Sequence, residues 1–121
     1  EDLGSGLAGV AGVPALAGAG TLASGSPGSL SLTSAKPSAL TNLFVSFAST
    51  PASFKGGTLV PVPPASTLSL FTNGVGSIPL SWPAWPAGLP AGTSLFFQYA
   101  IADAAAPAGV ALSNALHAVT P

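Results

Sequence analysis

Short runs in which apolar and polar residues alternate recur along the chain, and glycine or proline bounds each run. In GSLSLTS, Leu30 and Leu32 alternate with serine and threonine. In LTNLFVSFAS, alternate positions predict one face of Leu43, Val45 and Phe47. A period of two places successive side chains on opposite faces, as in a strand of a half-buried sheet. The thirteen prolines and fifteen glycines argue against long helices. The pattern therefore predicts an all-β chain.

Three further stretches predict strands, and shorter pieces at residues 13–23 and 58–62 complete the set. The run STLSLFTNGVGSIPLSW predicts a hairpin that turns at Asn73-Gly74, because both residues readily adopt a positive φ. The final stretch, VALSNALHAVTP, predicts one strand. In GTSLFFQYAIAD the alternation predicts an inward face of Leu95, Phe97, Tyr99 and Ile101 and an outward face of Phe96, Gln98 and Ala100. About eight short strands predict an antiparallel β-sandwich, Greek-key or jelly-roll-like in topology.

The N-terminal stretch LAGVAGVPALAG has a different period, because a large apolar residue occupies every third position: Leu7, Val10, Val13 and Leu16. A period of three fits a polyproline-II-like ribbon, or an extended segment that is apolar on both faces. We therefore divide the chain into an extended N-terminal segment, residues 1–13, and a β-sandwich domain, residues 14–121.

The N-terminal segment is a candidate for pairing between copies. We predict that it leaves its own domain and pairs with a sheet edge or groove of a neighbouring copy, as a donated strand. The interface residues of this prediction are Leu3, Leu7, Val10 and Val13. The alternative is that the segment folds back as the first strand of its own sandwich.

Ionised side chains are nearly absent from the chain. Charged residues make up 4% of the 121 residues, against about a quarter in an average soluble domain. The net charge is −1 and the mean hydropathy is +0.64, so copies of the chain do not repel one another. This composition favours a subunit whose surface is covered by other copies of itself. The alternative is a secreted domain coated with Ser and Thr that tolerates a low charge.

The same composition argues against several functional classes. Two lysines without arginine provide no basic footprint for nucleic acid, and no run of apolar residues is long enough to span a membrane. Cysteine is absent, and Asp103 is the one acid beyond residue 2, so we expect no catalytic residues, no cofactor and no metal site. We interpret Asp103 and Asn114 as polar residues satisfied within the fold, with Gln98 as a partner for either.

The stretch SWPAWPAG contains both tryptophans of the chain, Trp82 and Trp85. Exposed aromatic rings can stack on sugar faces, so these two residues are candidate ligand-stacking positions and glycans are candidate partners. The alternative is that Trp82 caps the core of the sandwich while Trp85 packs against the neighbouring prolines.

Several pieces of the chain occur in an order that resembles a known module. The pieces are FKGGTLVP, WPAGLPAGTSLFFQYAIAD and SNALHAVTP. Together they resemble a β-domain module of secreted bacterial proteins, often found at the C-terminal end of longer extracellular chains. The resemblance covers nearly all of residues 14–121. It implies an extracellular β-domain without established catalytic residues, and within it Gly56-Gly57 predicts a tight turn.

These observations together predict a non-enzymatic structural subunit of an extracellular filament or matrix. The subunit assembles with copies of itself through β-strand donation by the N-terminal segment. We expect an extracellular or cell-surface location after removal of a signal peptide. The alternative function is a secreted adhesive or carbohydrate-binding β-sandwich module.

Overall fold

Every regular element of the protein is a β-strand within the residues that the structure describes. The computed structural model describes residues 2–20, 23, 25–85, 90–106 and 108–121, so Glu1 and residues 86–89 of the WPAGLPAG motif lie outside the description. The eleven strands are β1 (Asp2–Gly4), β2 (Ala15–Gly20), β3 (Gly28–Thr33), β4 (Leu40–Ser46), β5 (Ala52–Phe54), β6 (Gly57–Leu59), β7 (Ser66–Phe71), β8 (Ile78–Trp82), β9 (Ser94–Ala102), β10 (Val110–Leu112) and β11 (Ala115–Val119). The predicted all-β fold is confirmed. Four of the strands are only three residues long, which explains why the sequence predicts about eight.

The strands form three antiparallel sheets. The largest has the order β1-β11-β9-β4-β7, and β10 also pairs with β9. The second has the order β2-β3-β8, and β5 and β6 form a small separate pair. The chain passes between the two larger sheets after β1, after β3, after β7 and after β8, so strands that are adjacent in sequence often belong to different sheets. No described helix is long and apolar enough to cross a membrane.

One hydrophobic core joins the two larger sheets in a sandwich-like arrangement. The smaller sheet contributes Leu16, Leu30, Leu32 and Ile78, and the larger sheet contributes Leu43, Leu95, Phe97, Tyr99 and Ile101. The alternation predicted for β3 and the inward face predicted for β9 are confirmed. Burying each large apolar side chain contributes roughly 1.5–3 kcal/mol. Phe47, predicted on the face of Leu43, instead lies exposed just beyond the end of β4.

The outward face predicted for β9 is wrong for two residues, because a second layer covers it. Gln98 and Ala100 are both buried. The β5-β6 pair lies over this face, where the ring of Phe54 packs edge-on against Phe44 of β4 with 6.2 Å between ring centroids. The larger sheet is therefore covered on both faces along β9. A strand buried on both faces carries no reliable signal of which side is outward.

The predicted hairpin at Asn73-Gly74 is also wrong. β7 pairs with β4, whereas β8 pairs with β3 in the other sheet. The side-chain oxygen of Asn73 accepts hydrogen bonds from the backbone N–H groups of Val75 and Ser77, both at 3.0 Å. Gly76, rather than Gly74, adopts the positive φ. The turn residues therefore build a corner that carries the chain from one sheet to the other.

The single C-terminal strand predicted from VALSNALHAVTP is wrong, because the chain breaks it into β10 and β11 at Ser113 and Asn114. The Asn114 side chain accepts a hydrogen bond from the N–H of Leu16 at 2.6 Å and donates one to its carbonyl oxygen at 2.9 Å. The side-chain amide thereby replaces a strand backbone and joins the break to β2 in the other sheet. Asn114 is thus satisfied within the fold, as predicted, although it lies between two strands.

The predicted tight turn lies one residue earlier than expected. Lys55 and Gly56, with φ of 49° and 86°, form the two-residue turn between β5 and β6, and Phe54 pairs with Gly57. Two positive φ angles match the twist of an antiparallel pair, which is why glycine is favoured there. Gly57 is needed for another reason: a Cβ atom there would lie 2.8 Å from Cδ1 of Leu112 and 3.2 Å from Cδ2 of Leu7.

Candidate functional site

The N-terminal segment, described from residue 2 to residue 13, lies along its own domain in the isolated chain. β1 pairs with β11, with Asp2 opposite Leu116 and Gly4 opposite Ala115. Further along, Leu7 exchanges two backbone hydrogen bonds with Leu112, at 2.9 and 3.1 Å. The segment therefore forms one edge of the six-stranded sheet.

A tight reversal separates this segment from β2. Gly9 and Gly12 exchange backbone hydrogen bonds of 2.9 and 3.2 Å, and Gly12 adopts a φ of 95°. Between them, the N–H of Val10 donates to Oδ2 of the buried Asp103 at 2.8 Å. A side chain on Gly9 would overlap the same carboxylate. The reversal is thus held in place by one buried acid and by the absence of a side chain at Gly9.

Gln98 connects the N-terminal segment to the layer formed by β5 and β6. Its Nε2 donates to the carbonyl oxygens of Ser5, Thr58 and Ser113 at 3.3, 3.2 and 3.0 Å. Its Oε1 accepts the N–H of Val60 at 2.9 Å. The prediction that Gln98 bonds Asp103 or Asn114 is therefore wrong. This buried amide instead joins the N-terminal segment, β6 and the C-terminal break at one point.

The four predicted interface residues are exposed to different degrees. Leu7 is half-buried between Leu112 and Gly57. The other three are exposed, with exposed fractions of 37% for Leu3, 61% for Val10 and 51% for Val13. Docking on its own domain therefore leaves a substantial part of the apolar surface of the segment uncovered, chiefly at Val10 and Val13.

β7 forms the opposite edge of the same sheet and pairs only with β4 among the described strands. It contains neither a charged residue nor a proline, which are the features that usually protect an open edge. Leu68 is 46% exposed and Phe71 is 71% exposed. The strand ends beside Lys36, whose carbonyl oxygen accepts a hydrogen bond from the hydroxyl of Thr72 at 2.6 Å.

The tryptophan pair lies against the core. Trp82 and Trp85 are both half-buried and contact each other, with 5.3 Å between ring centroids and 56° between ring planes. Neither indole nitrogen has a hydrogen-bond partner among the described residues, and both nitrogens are buried. Trp82 packs over Gly28 at the end of the core, as the capping interpretation predicts. The rings therefore do not form a flat, exposed stacking platform.

A cleft of about 640 Å³ opens between the two larger sheets. Its described lining is mostly apolar or glycine and includes Gly18, Leu30, Trp82, Phe97, Leu116 and His117. This volume lies within the range of small-molecule sites, but such sites also need several convergent polar groups. Trp82 forms part of the wall, whereas Trp85 does not.

The ionisable residues beyond the N-terminal segment do not converge on one place. The Asp103 carboxylate accepts the N–H groups of Val10 and Ala105, which confirms its predicted structural role. The His117 ring stacks on Phe96, with 4.6 Å between centroids, and its Nε2 lies 3.0 Å from Oγ of Ser94. Within the described residues, no group of three or more His, Cys, Asp or Glu could hold a metal ion.

Tyr99 lies in the core between the two larger sheets and provides a test of the packing there. It is fully buried, its hydroxyl has no hydrogen-bond partner among the described residues, and burial raises the pKa of Tyr99 to about 12. The pKa in the folded state is higher than the ordinary value of about 10, which applies to the unfolded chain. Below pH 10 the phenol is neutral in both states, so its titration does not lower the free energy of unfolding there. Above that pH the free energy of unfolding should fall by about 1.4 kcal/mol per pH unit until pH 12.

We expect Tyr99→Phe to keep or raise the free energy of unfolding at pH 7, since it removes an unpaired buried hydroxyl. The variant should also lose less stability between pH 10 and 11 than the parent chain. Urea unfolding of both chains at these pH values measures the difference. A loss at pH 7 greater than about 1 kcal/mol would show that the hydroxyl has a partner.

Comparisons with known proteins do not assign the chain to a family, because no family model, curated protein or solved structure matches it. The candidate site therefore depends on the geometry of the described residues. The resemblance to the secreted β-domain module therefore stays a prediction that depends on the three sequence pieces. The candidate functional site is the pair of opposite edges of the six-stranded sheet, one formed by the N-terminal segment and the other by β7.

Proposed function

We propose that this protein is a non-enzymatic structural subunit of an extracellular filament or matrix. Each copy contributes its N-terminal segment to the sheet of a neighbouring copy, and the repeated contact produces a homopolymer. The observation that carries the proposal is the exposed apolar surface of this segment, at Leu3, Val10 and Val13. A head-to-tail contact of this kind does not close on itself and therefore extends into a filament.

The charge distribution supports self-assembly. Lys36 and Lys55 are exposed, Asp103 is buried, and Asp2 is the exposed acid of the described residues. The described surface away from Asp2, Lys36 and Lys55 carries no ionised Asp, Glu, Lys or Arg side chain. Two copies that approach through it meet no ionic repulsion and desolvate few charges. A surface hydrated mainly by hydroxyl and backbone groups is compatible with close contact between copies.

The reversal at residues 9–12 supports a separate role for the segment. The core between the two larger sheets is built from residues of β2 onward and includes no apolar side chain of the segment, although Leu7 packs beside Leu112 and Gly57. The segment can therefore meet a neighbouring copy while the domain keeps its core. An edge strand offers backbone hydrogen bonds for affinity and alternate side chains for specificity.

A single added charge tests the proposal. Val13 and Val119 are both valines with 51% of their surface exposed, so a lysine at either position is tolerated by the isolated chain. We expect Val13→Lys to raise the critical concentration for assembly at least tenfold, because the interface would bury the ammonium group without a partner. Val119→Lys is the matched control and should assemble like the parent chain. Pelleting and negative-stain electron microscopy measure both.

Equal assembly of the Val13→Lys variant and the parent chain would contradict the proposal. Carbohydrate binding is the competing function, since Trp82 forms one wall of the cleft between the sheets. Saturable binding on a glycan array by a chain that stays monomeric, lost in a folded Trp82→Ala variant, would replace the filament proposal with that one.

A further inference from the structure

The two exposed edges of the six-stranded sheet carry opposite charges. The edge formed by β1 includes Asp2, whose carboxylate also accepts the N–H of Gly4 at 2.8 Å. The other edge, β7, ends beside Lys36. Lys55 does not belong to this edge, because it lies over the face of the sheet, next to Asn42 of β4 and Ala100 of β9. One molecule is therefore acidic at one edge and basic at the other, although its net charge is only −1.

The remaining strand edges of the two larger sheets are less open. On the smaller sheet, the outer strand β8 contains Pro79, which lacks a backbone N–H and so protects that edge. β2 is the other outer strand of this sheet, and there the N–H and the carbonyl oxygen of Leu16 already bond the Asn114 side chain. β7 has neither form of protection among the described residues and presents the exposed side chains of Leu68 and Phe71.

We infer that the surface that receives the N-terminal segment is the β7 edge of the next copy. This inference rests on the proposed function and names the partner surface for it. β1 pairs with its own β11 along one side, and its other side has no strand beside it within the described residues. That free side lies along β7 of the neighbouring copy, so the six-stranded sheet continues from copy to copy along the filament.

The charges select the direction of this pairing. An antiparallel arrangement places the beginning of the segment beside the end of β7, which brings Asp2 to Lys36 of the next copy. In the same register Leu3 faces the region of Phe71, and two exposed apolar side chains cover each other. A parallel arrangement would place Asp2 beside the uncharged start of β7. The antiparallel one is therefore favoured.

A disulfide between copies tests the inference directly, because the chain contains no cysteine. Leu3 and Phe71 lie on strands four places apart in one sheet, a separation of about 19 Å at ~4.8 Å per strand spacing. Cysteines this far apart cannot bond within one copy, since a disulfide needs Cα atoms within about 7 Å. In a chain carrying both Leu3→Cys and Phe71→Cys, mild oxidation of the assembled material should give a covalent ladder on a non-reducing denaturing gel.

The matched control carries Leu3→Cys with Ser81→Cys, which places the second thiol on the protected β8 edge. We expect no ladder from this pair. A ladder from the Ser81 pair, or filaments without a ladder from the Phe71 pair, would overturn the β7 assignment and leave assembly through the N-terminal segment intact. Failure of the parent chain to form filaments would instead contradict the proposed function, so the two failures are distinguishable.

A charge exchange provides a second test that does not need a cross-link. Lys36→Glu should raise the critical concentration about two- to fivefold, the range expected for one exposed ion pair replaced by repulsion. Adding Asp2→Lys to that variant should restore assembly to the parent level. If the double variant assembles worse than Lys36→Glu alone, the two residues do not meet and the antiparallel pairing is wrong.

Discussion

Removal of residues 1–12 is expected to give a folded chain that stays monomeric under conditions in which the parent chain polymerises. The truncated chain keeps β2 to β11 and therefore every residue of the hydrophobic core. It loses the pairing of β1 with β11, the backbone bonds of Leu7 with Leu112 and the donated apolar surface. Assembly should fall below detection, because the donor strand itself is absent.

The truncation should lower the free energy of unfolding only in part, because the buried polar side chains that contact the segment keep other partners. Asp103 loses the N–H of Val10 but keeps that of Ala105, and Gln98 loses the carbonyl of Ser5 but keeps three partners. We expect a loss of roughly 2–4 kcal/mol, with the circular dichroism spectrum of a β-protein retained. Sedimentation velocity reports the oligomeric state. Filaments formed by a truncated chain that remains folded would show that another surface drives assembly.

Gln98→Leu is expected to lower the free energy of unfolding more than Tyr99→Phe, Val13→Lys or Asn42→Leu. Leucine fills a similar space but leaves the N–H of Val60 and the carbonyl oxygens of Thr58 and Ser113 buried without their partner. Each unpaired buried group costs about 1–3 kcal/mol, so the free energy of unfolding should fall by at least ~3 kcal/mol. Urea unfolding measures the change.

Asn42→Leu is the comparison for this substitution. Asn42 lies on the same face of the sheet and is half-buried, and among the described residues its side chain bonds only the exposed hydroxyl of Ser69, at 2.9 Å. Its replacement should change the free energy of unfolding by less than about 1 kcal/mol. If Gln98→Leu were as mild as Asn42→Leu, the covering layer would not be held by the buried amide.

The sequence predicts the parts of the fold that follow local pattern. The alternation in GSLSLTS and the inward face of β9 are confirmed because one face of each strand meets a single continuous core. The structural role of Asp103 follows from its isolation: no other acid lies nearby in sequence to share a site with it. These features depend on short-range periodicity and composition, which one sequence contains in full.

Other parts depend on contacts between distant segments, and the local pattern misleads there. Asn73-Gly74 has the composition of a hairpin turn, but the choice between a hairpin and a corner is made by which sheet β8 joins. Gln98 alternates as an outward residue, and only the β5-β6 layer and the N-terminal segment bury it. A long amide inside the most apolar strand of the chain is the one local signal that could have indicated this role.

The two edges of the proposed assembly surface also differ in how far the sequence predicts them. The period of three in residues 7–16 marks the N-terminal segment as unusual, and its exposed apolar side chains agree with a role in contacts between copies. The proposed receiving edge could not be predicted from sequence, because STLSLF resembles any half-buried strand. Its position as an unprotected edge appears only when the strand order is known.

Sedimentation velocity of the intact chain over a wide concentration range tests the central claim most directly. We expect a concentration-dependent series of species that continues into filaments visible by electron microscopy, since head-to-tail contacts do not close. A single 11.5 kDa particle at every concentration, in ordinary buffer and over extended time, would contradict it.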